Sequence, residues 1–433
     1  MSKRPKFQSP TGMHDILPEE QRYFKKVLDV CENIVDYHSF QRIDTPILEN
    51  TELFSKGTGI STDVVQKQMF SLRTKGGDSL TLRPEFTPGI IRAYIENGMQ
   101  ILPQPIKLYS YGPVFRYEHP QAGRYRQFHQ FNLEVIGEES PIIDAQIIQI
   151  FYNILQELKL KNLIVQINSI GDSQCRPYYK KLLVSYFKSR EQSLCVDCRR
   201  RLRENPLRVL DCKEEKCQRI VSQAPQLIDH LCESCHRHFK GVLEFLDEIE
   251  LPYQLNPYLV RGLDYYTKTV FEIFGENATK TEGEEPSVGN ALVAGGRYDN
   301  LIKLLGGEDT KATGAAMGME RVIAALKLKG IKSSKSATSP IFLAQLGNLA
   351  KRKSLKLLED FRKAKIQVAE SFGRDSLKAQ LKMADRVEAQ YALILGQQEA
   401  LDGTIIIRDM KTGKQETVKL EKTVKEMQRR LKK

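Results

Sequence analysis

"VFRYEHPQAGRYRQFHQFNLEVIG", residues 114 to 137, does more than any other stretch to decide the fold. Its two halves carry apolar and aromatic residues at strand-like spacing, and they flank a loop that contains Pro120 and Gly123. This pattern predicts a long β-hairpin. Arg116 and Arg124 lie on or beside the loop, where a guanidinium fork matches two phosphate oxygens and stays charged. The hairpin therefore suits phosphate binding, and a solvated hairpin is the alternative interpretation.

A second stretch, "TLRPEFTPGIIRAY" (81 to 94), predicts a strand that leads to Glu85 and Thr87 and then a helix. A helix N-terminus attracts anions, and a carboxylate at that point can hold a cation instead. A capped helix would explain the stretch equally well.

A third stretch, "VRGLDYYTKTVFE" (260 to 272), ends in the alternation of a strand but begins with Arg261, Tyr265 and Tyr266. Few strands that enter a core start with so many polar groups. The stretch is therefore a candidate site rather than ordinary packing.

Two glycine-rich stretches follow. "ALVAGGRYDNLIKLLGG" (291 to 307) predicts a strand that ends in two glycines, which let a ligand approach the backbone closely. "TGAAMGMERVIAAL" (313 to 326) predicts a helix with Arg321 in its first turn, where the guanidinium could stack on a ring or reach a phosphate. Tight packing of a helix on a sheet is the alternative for this last stretch.

The length and charge of the chain indicate more than one domain. At 433 residues it exceeds one compact core. Residues 331 to 433 hold 23 Lys and Arg against 12 Asp and Glu, a net of +11, whereas the whole chain carries +12. Such a module attracts polyanions, unless the charge only forms a solvated surface. We find no long apolar run and no secretory signal, so we expect a cytoplasmic protein with no membrane partner.

The cysteines are concentrated in one polar, helix-prone segment. Cys195 and Cys198 form one C-x-x-C pair, and Cys232 and Cys235 form another. Two such pairs can supply the four thiolates of a structural zinc site, and buried free thiols are the alternative. His236 and His238 are alternatives to one of the cysteine ligands of such a zinc site. The charged helix on which they lie instead predicts that both are solvated.

Together these stretches resemble the histidyl-tRNA synthetases, a family of class II aminoacyl-tRNA synthetases, over essentially the whole chain. "FQRIDTPILE" (40 to 49), "FRYEHPQAGRYRQFHQF" (115 to 131) and "GMERV" (318 to 322) are similar to the three motifs of the class. "RGLDYYTKTVFE" and "AGGRYD" (294 to 299) resemble the two stretches that distinguish the histidine enzymes.

The resemblance implies roles for the site residues. Arg116 would hold the α-phosphate of ATP, Arg261 would reach the histidine carboxylate and the same phosphate, and both would be catalytic. Mg²⁺ would neutralise the β- and γ-phosphates. The implied ATP contacts are Arg116, Glu118, Arg124 and Arg321. The implied histidine contacts are Glu85, Thr87, Arg116, Gln130, Glu134, Arg261, Tyr265 and Tyr266.

The resemblance also implies an organisation. An α+β catalytic domain (1 to 326) would have a mainly antiparallel sheet flanked by helices, with a helical Cys-rich insertion (175 to 240). A linker (327 to 338) would lead to a small α/β anticodon-binding domain (339 to 433). The enzyme would convert L-histidine and ATP to histidyl-adenylate and pyrophosphate and then transfer histidine to the 3′ end of tRNA(His). It would act as a homodimer with Pro46 at the interface.

Two alternatives come from other classes. A regulatory paralogue would bind histidine as a signal, but it should lack the anticodon domain and the arginines that hold ATP. A zinc-containing nucleic-acid-binding protein without catalysis would explain the cysteines and the basic end. It would leave "RGLDYYTKTVFE" and "AGGRYD" unexplained.

Overall fold

The structure is a computed structural model that describes residues 7–60, 62–118, 123–275, 291–333 and 339–431. The chain forms two compact units, Met1–Ser334 and Lys335–Lys433. No helix in the described part of the chain combines the length and apolarity that a membrane crossing requires.

The first unit is built on a large sheet. Its strands in chain order are β1 (Gln41–Arg42), β2 (Leu48–Asn50), β3 (Phe70–Arg73), β4 (Ser79–Leu82), β5 (Ile106–Phe115), β6 (Gln127–Ile136), β7 (Ile164–Ser169), β8 (Tyr253–Leu255), β9 (Thr267–Phe274), β10 (Val293–Arg297) and β11 (Ala312–Gly318). Within the described residues, eight of them form one sheet in the order β1-β5-β6-β11-β10-β9-β7-β8, and β2, β4 and β3 form a smaller one.

The large sheet is mainly antiparallel, which confirms the predicted fold class. The predicted hairpin is the pair β5 and β6, antiparallel from Ile106↔Ile136 to Phe115↔Gln127. Among the described strands of this sheet, only the edge pairs β1/β5 and β7/β8 are parallel. The hairpin-loop residues 119–122, including Pro120, lie outside the described residues.

Ten helices of the first unit fall in the described ranges: α1 (Pro18–Tyr37), α2 (Thr51–Thr58), α3 (Thr87–Glu96), α4 (Pro141–Glu157), α5 (Arg176–Lys188), α6 (Val196–Glu204), α7 (Glu215–Val221), α8 (Glu233–Glu248), α9 (Leu301–Leu304) and α10 (Met319–Leu328). Apolar residues of α1, α4, α8 and α10 pack in one core with the large sheet. A second core joins α3 and α5 to residues of the Cys-rich segment.

Strand alternation separates the two faces of the large sheet. In β6, Phe131, Leu133 and Val135 enter the core with α1 and α4. Because successive side chains of a strand point to opposite faces, Gln130 and Glu134 lie on the other side. The polar residues between the apolar ones therefore converge on one face, where a site can form.

Helices α5 to α8 account for the predicted Cys-rich insertion between β7 and β8. They fall within the first compact unit. Asp63, which lies before the insertion, accepts hydrogen bonds from Arg201 (3.1 Å) and Arg208 (2.5 Å). These ion pairs attach the insertion to the rest of the unit.

The second unit is an α/β domain. Its elements are β12 (Ile341–Gln345), α11 (Asn348–Lys363), β13 (Val368–Glu370), α12 (Leu377–Arg386), β14 (Tyr391–Leu395), α13 (Gln397–Asp402), β15 (Thr404–Asp409), β16 (Gln415–Lys419) and α14 (Thr423–Leu431). In the described residues the strand order is β13-β12-β14-β15-β16.

The sheet of the second unit is mixed. Strand β12 is parallel to β13 and β14, but β15 is antiparallel to both of its neighbours. The physical reason is the short turn between β15 and β16, which cannot carry a crossover to a parallel strand.

The predicted linker begins too early. Lys327 and Leu328 belong to the last turn of α10, and the unit boundary falls between Ser334 and Lys335. Residues 334–338 of the predicted linker lie outside the described residues.

Candidate active site

A cavity of about 300 Å³ opens on the polar face of the large sheet. Six of the predicted site residues line it: Arg116, Glu118, Arg124, Gln130, Arg261 and Arg321. They come from three distant stretches of sequence, which the sheet brings to one place.

The backbone fixes two of the arginines. Arg116 directly follows β5, and its Nε donates to the carbonyl of Pro84 at 2.9 Å. Arg321 lies in the first turn of α10, and its Nη1 donates to the carbonyl of Ala291 at 2.9 Å. Burial and the neighbouring charges of Arg116 and Arg124 lower the pKa of Arg321. Four arginines thus line the cavity together with four acidic side chains, and guanidinium groups held in this way are suited to phosphate oxygens.

Arg261 is the third arginine of the wall, and it forms an ion pair with Glu272 of β9. This pairing holds the guanidinium beside the ring of Tyr266, 5.6 Å from its centre. Among the described residues, Arg261 Nε and Gln130 Oε1 are buried side-chain atoms without a hydrogen-bond partner. Such unpaired atoms are costly, so a bound ligand would stabilise both.

A buried acidic pocket lies behind the arginines. Tyr265 donates to Glu85 Oε2 at 2.7 Å, and Thr58 donates to Glu85 Oε1 at 2.8 Å. Thr87 donates to Glu134 Oε1 at 2.5 Å. Four of the predicted histidine contacts thus lie in two hydrogen-bonded groups, one on Glu85 with Tyr265 and one on Glu134 with Thr87.

The two carboxyl groups of this pocket are electrostatically unusual. Burial raises the pKa of Glu85 above its ordinary value. Burial also raises the pKa of Glu134 to about 7, and the nearby Glu85 adds to the increase. Buried carboxyl groups with a raised pKa are typical of functional sites, because a cationic or hydrogen-bonding ligand offsets the free-energy cost of burying the charged form.

The first glycine-rich stretch contributes a site residue that was not predicted from the sequence. Tyr298, which follows β10, donates to Glu134 and packs against Tyr265 with ring centres 5.6 Å apart. Gly314 of β11 leaves room for the Glu134 carboxylate, since a Cβ there would collide with it. Tyr298 lies within "AGGRYD", so a sequence motif marked its position. No sequence pattern indicated its contacts with Glu134 and Tyr265.

The cysteines group differently from the prediction, so the proposed ligand set Cys195, Cys198, Cys232 and Cys235 is wrong. The structure shows two separate groups. The sulfur cluster consists of Cys195, Cys198, Cys212 and Cys217. The mixed cluster consists of Asp172, Cys175, Cys232 and Cys235. Each C-x-x-C pair begins its own helix, α6 or α8, and meets partners from elsewhere in the chain rather than the other pair.

One further expectation fails. His238 is not solvated, because its Nε2 lies 2.7 Å from Asp144 Oδ2 in the interior. Arg297 completes this buried network with Asp144 and Asp299.

The antiparallel sheet, the long hairpin and the arginine-lined cavity beside an acidic pocket define a class II aminoacyl-tRNA synthetase. The family model "Histidyl-tRNA synthetase" matches residues 12–322, and the model "Anticodon binding domain" matches residues 341–430. The chain therefore belongs to the histidyl-tRNA synthetase family.

Individual relatives agree with this assignment. A histidine–tRNA ligase of Dehalococcoides mccartyi is 43% identical over 98% of this chain and 100% of its own. Another, of Desulfitobacterium hafniense, is 44% identical over 94% of each chain. The crystal structure of the apo S. aureus histidyl-tRNA synthetase has a TM-score of 0.79 at 35% identity, covering 97% of this chain and 99% of the other.

Proposed function

We propose that the cavity activates L-histidine with ATP and that the chain then charges tRNA(His). In the first step a histidine carboxylate oxygen bonds to the α-phosphorus, the bond from that phosphorus to the β-phosphate oxygen breaks, and pyrophosphate leaves. In the second step a ribose hydroxyl at the 3′ end of the tRNA attacks the carbonyl carbon and releases AMP. No protein nucleophile is needed, because the substrate carboxylate attacks.

The observation that carries the proposal is the convergence of Arg116, Arg261 and Arg321 on one cavity. Charge develops on the α-phosphate oxygens as the carboxylate attacks, and fixed cations in a partly buried site stabilise it. Arg116 and Arg261 would act at the α-phosphate. Arg321 would hold the adenine and the γ-phosphate, with Glu118 and Arg124 at the nucleotide end.

The acidic pocket would select histidine. An imidazole presents one N–H donor and one acceptor, and an α-ammonium group presents three donors. Glu85, Glu134 and the Tyr265 hydroxyl supply acceptors in the described site, and Thr87, Gln130 and Tyr266 would complete the set. A wrong amino acid would leave these buried groups unpaired, which costs enough to reject it.

Mg²⁺ would be held mainly by the phosphates of ATP. The cavity wall offers the carboxylates of Glu118 and Glu272, the oxygen ligands that Mg²⁺ prefers when it also binds phosphate. The bound ion would neutralise charge on the β- and γ-phosphates. Zinc has no part in the proposed reaction, because neither cysteine cluster contributes a residue to the cavity wall.

The second unit would bind the anticodon stem and loop of tRNA(His). Residues 331 to 433 carry the net charge of +11 counted from the sequence, which favours contact with RNA phosphates. RNA loops also present unstacked bases that side chains can read. We place the reaction in the cytoplasm, where ATP and tRNA meet.

We also propose a homodimer. Pro46, Ile47 and Leu48 are consecutive exposed residues of the stretch that resembles motif 1, and the two aliphatic side chains are 44% and 41% exposed. Burying such residues against a second copy would remove apolar surface from water. Sedimentation equilibrium tests this directly: a monomeric mass at micromolar concentration would contradict it.

Exchange of labelled pyrophosphate into ATP tests the proposed activation step without tRNA. Each of the twenty amino acids is supplied separately, and we expect exchange with histidine alone. The Arg261→His variant should lose exchange, whereas Arg237→His, at an exposed position of α8, should retain it.

Two results would contradict the proposal. Exchange with another amino acid would refute the assigned specificity. Histidine binding without exchange would favour the regulatory paralogue, although the chain keeps both the arginines and the second unit that such a paralogue should lack.

A further inference from the structure

The sulfur cluster brings four thiols from three stretches of chain to one point. Its four sulfur atoms all lie within 4.8 Å of one another, and Cys195 Sγ is 3.8 Å from Cys212 Sγ. Four thiolates at about 2.3 Å around one tetrahedral zinc ion lie about 3.8 Å apart. The observed separations therefore match a single ion.

Other fates for these thiols fit less well. All the cysteines are free in the structure, and the chain's expected compartment keeps thiols reduced. An iron–sulfur cluster places its metal atoms at separate corners, so its cysteines lie further apart than those around one ion. Free thiols in a core need not converge at all, and hydrophobic side chains would fill such a space more favourably.

Backbone groups already orient the sulfur atoms. The N–H of Cys198 points to Cys195 Sγ at 3.3 Å, and the N–H of Cys195 points to Cys217 Sγ at 3.2 Å. Donors directed at ligand atoms stabilise thiolates and fix their orientation around a metal. Cys195 also caps the N-terminus of α6, where the helix dipole favours negative sulfur.

The mixed cluster repeats this arrangement with one carboxylate. Its four ligand atoms also lie within 4.8 Å of one another. Cys232 precedes α8 as Cys195 precedes α6, and its N–H points to Cys175 Sγ at 3.0 Å. Three thiolates and one aspartate are a ligand set that zinc accepts.

We propose that each cluster binds one structural Zn²⁺, so that the chain carries two. The sulfur cluster supplies four thiolates, and the mixed cluster supplies three thiolates and the carboxylate of Asp172. The two C-x-x-C pairs thus belong to two sites instead of sharing one.

The positions of the clusters give the metals a structural purpose. Asp172 and Cys175 follow β7, and the adjoining Arg176 donates to the carbonyl of Tyr266 in the candidate active site. At the other cluster, Cys212 follows Asp211, which lines the cavity. Each zinc ion would therefore hold the insertion against a stretch that shapes the active site.

The test is the metal content of the purified full-length protein, measured by mass spectrometry after exhaustive dialysis. We expect two equivalents of zinc per chain in the wild type. The double variant Cys195→Ser with Cys198→Ser and the double variant Cys232→Ser with Cys235→Ser should each retain one. Cys31→Ser is the matched control, because Cys31 is a buried cysteine of α1 outside both clusters, and it should retain two.

Cobalt substitution of the wild-type protein provides a second measurement that does not depend on the variants folding. Co²⁺ in place of zinc should give thiolate-to-cobalt absorption in two spectroscopically distinct sites, because one has four sulfur ligands and the other three. Removal of the metal should lower pyrophosphate exchange, and added zinc should restore it.

The possible results separate cleanly. Zinc-free wild-type protein, or iron in place of zinc, would overturn the proposal. One equivalent that disappears only with the Cys195 and Cys198 variant would overturn the mixed site. A single equivalent lost in both double variants would restore the shared four-cysteine site.

Discussion

Glu134 should make the catalytic unit less stable as the pH rises, and the Glu134→Gln variant should remove this dependence. Glu134 is fully buried in β6 and accepts hydrogen bonds from Thr87, Asn132 and Tyr298. Glutamine has the same shape. Its oxygen can accept from Thr87 and Asn132, and its amide can donate to the Tyr298 hydroxyl, which is free to rotate.

The magnitude follows from the two pKa values. The ordinary glutamate pKa is 4.5, and in the folded protein that of Glu134 is about 7. Between these values the folded state holds a proton that the unfolded state has lost, so stability falls as the pH increases through this window. A difference of about 2.5 pKa units at about 1.4 kcal/mol each amounts to about 3 kcal/mol.

The variant should therefore equal the wild type at a pH below 4.5 and exceed its unfolding free energy by about 3 kcal/mol above pH 7. Because the chain lacks tryptophan, urea unfolding is best followed by circular dichroism over a pH series. Subtracting the wild-type unfolding free energy from that of the variant at each pH cancels the contributions of the titrating groups that both proteins share. The same variant should bind histidine more weakly, since the carboxylate is assigned to substrate.

Glu139→Gln is the control, because Glu139 is an exposed glutamate shortly after β6 and its removal should leave the pH dependence unchanged. If Glu134→Gln and the wild type differ by a constant amount at every pH, Glu134 does not titrate in this window. The inference from its burial would then be refuted.

Three further predictions concern the site, the buried network and the second unit. Arg261→His should lower pyrophosphate exchange about 100- to 1000-fold with an unchanged circular dichroism spectrum; near-normal exchange would remove the role assigned to Arg261. Arg297→Met should cost about 3 to 5 kcal/mol in urea unfolding, because it leaves Asp144 buried without its arginine partner; a loss no greater than that of the exposed control Lys240→Met would contradict this. Removing residues 335–433 should preserve exchange and abolish charging of tRNA(His), and equal charging by the shortened chain would exclude the second unit from tRNA binding.

Local patterns made the hairpin and the site stretches predictable. Strand alternation is a property of neighbouring residues, so the sequence predicted the pair β5 and β6. The charge of residues 331 to 433 and the motif-like stretches likewise required no structure. The resemblance to a family supplied the functional roles, which composition and spacing could not.

Contacts between distant residues were less predictable. Tyr298 pairs with Glu134 only because β10, β11 and β6 lie side by side in the sheet. His238 was expected in solvent, yet α8 packs on α4 and buries it against Asp144. The local charge pattern of α8 does not indicate which helix packs against it.

The cysteines show most clearly which features can be predicted from the sequence and which depend on the tertiary structure. The sequence by itself determined that the insertion carries paired cysteines and that the first region forms an antiparallel sheet with an arginine-rich hairpin. Only the tertiary structure decided that Cys195 and Cys198 meet Cys212 and Cys217, while Cys232 and Cys235 meet Asp172 and Cys175. The physical reason is that spacing along the chain fixes the turn within each pair, whereas the packing of α5 to α8 fixes which pair faces which partner.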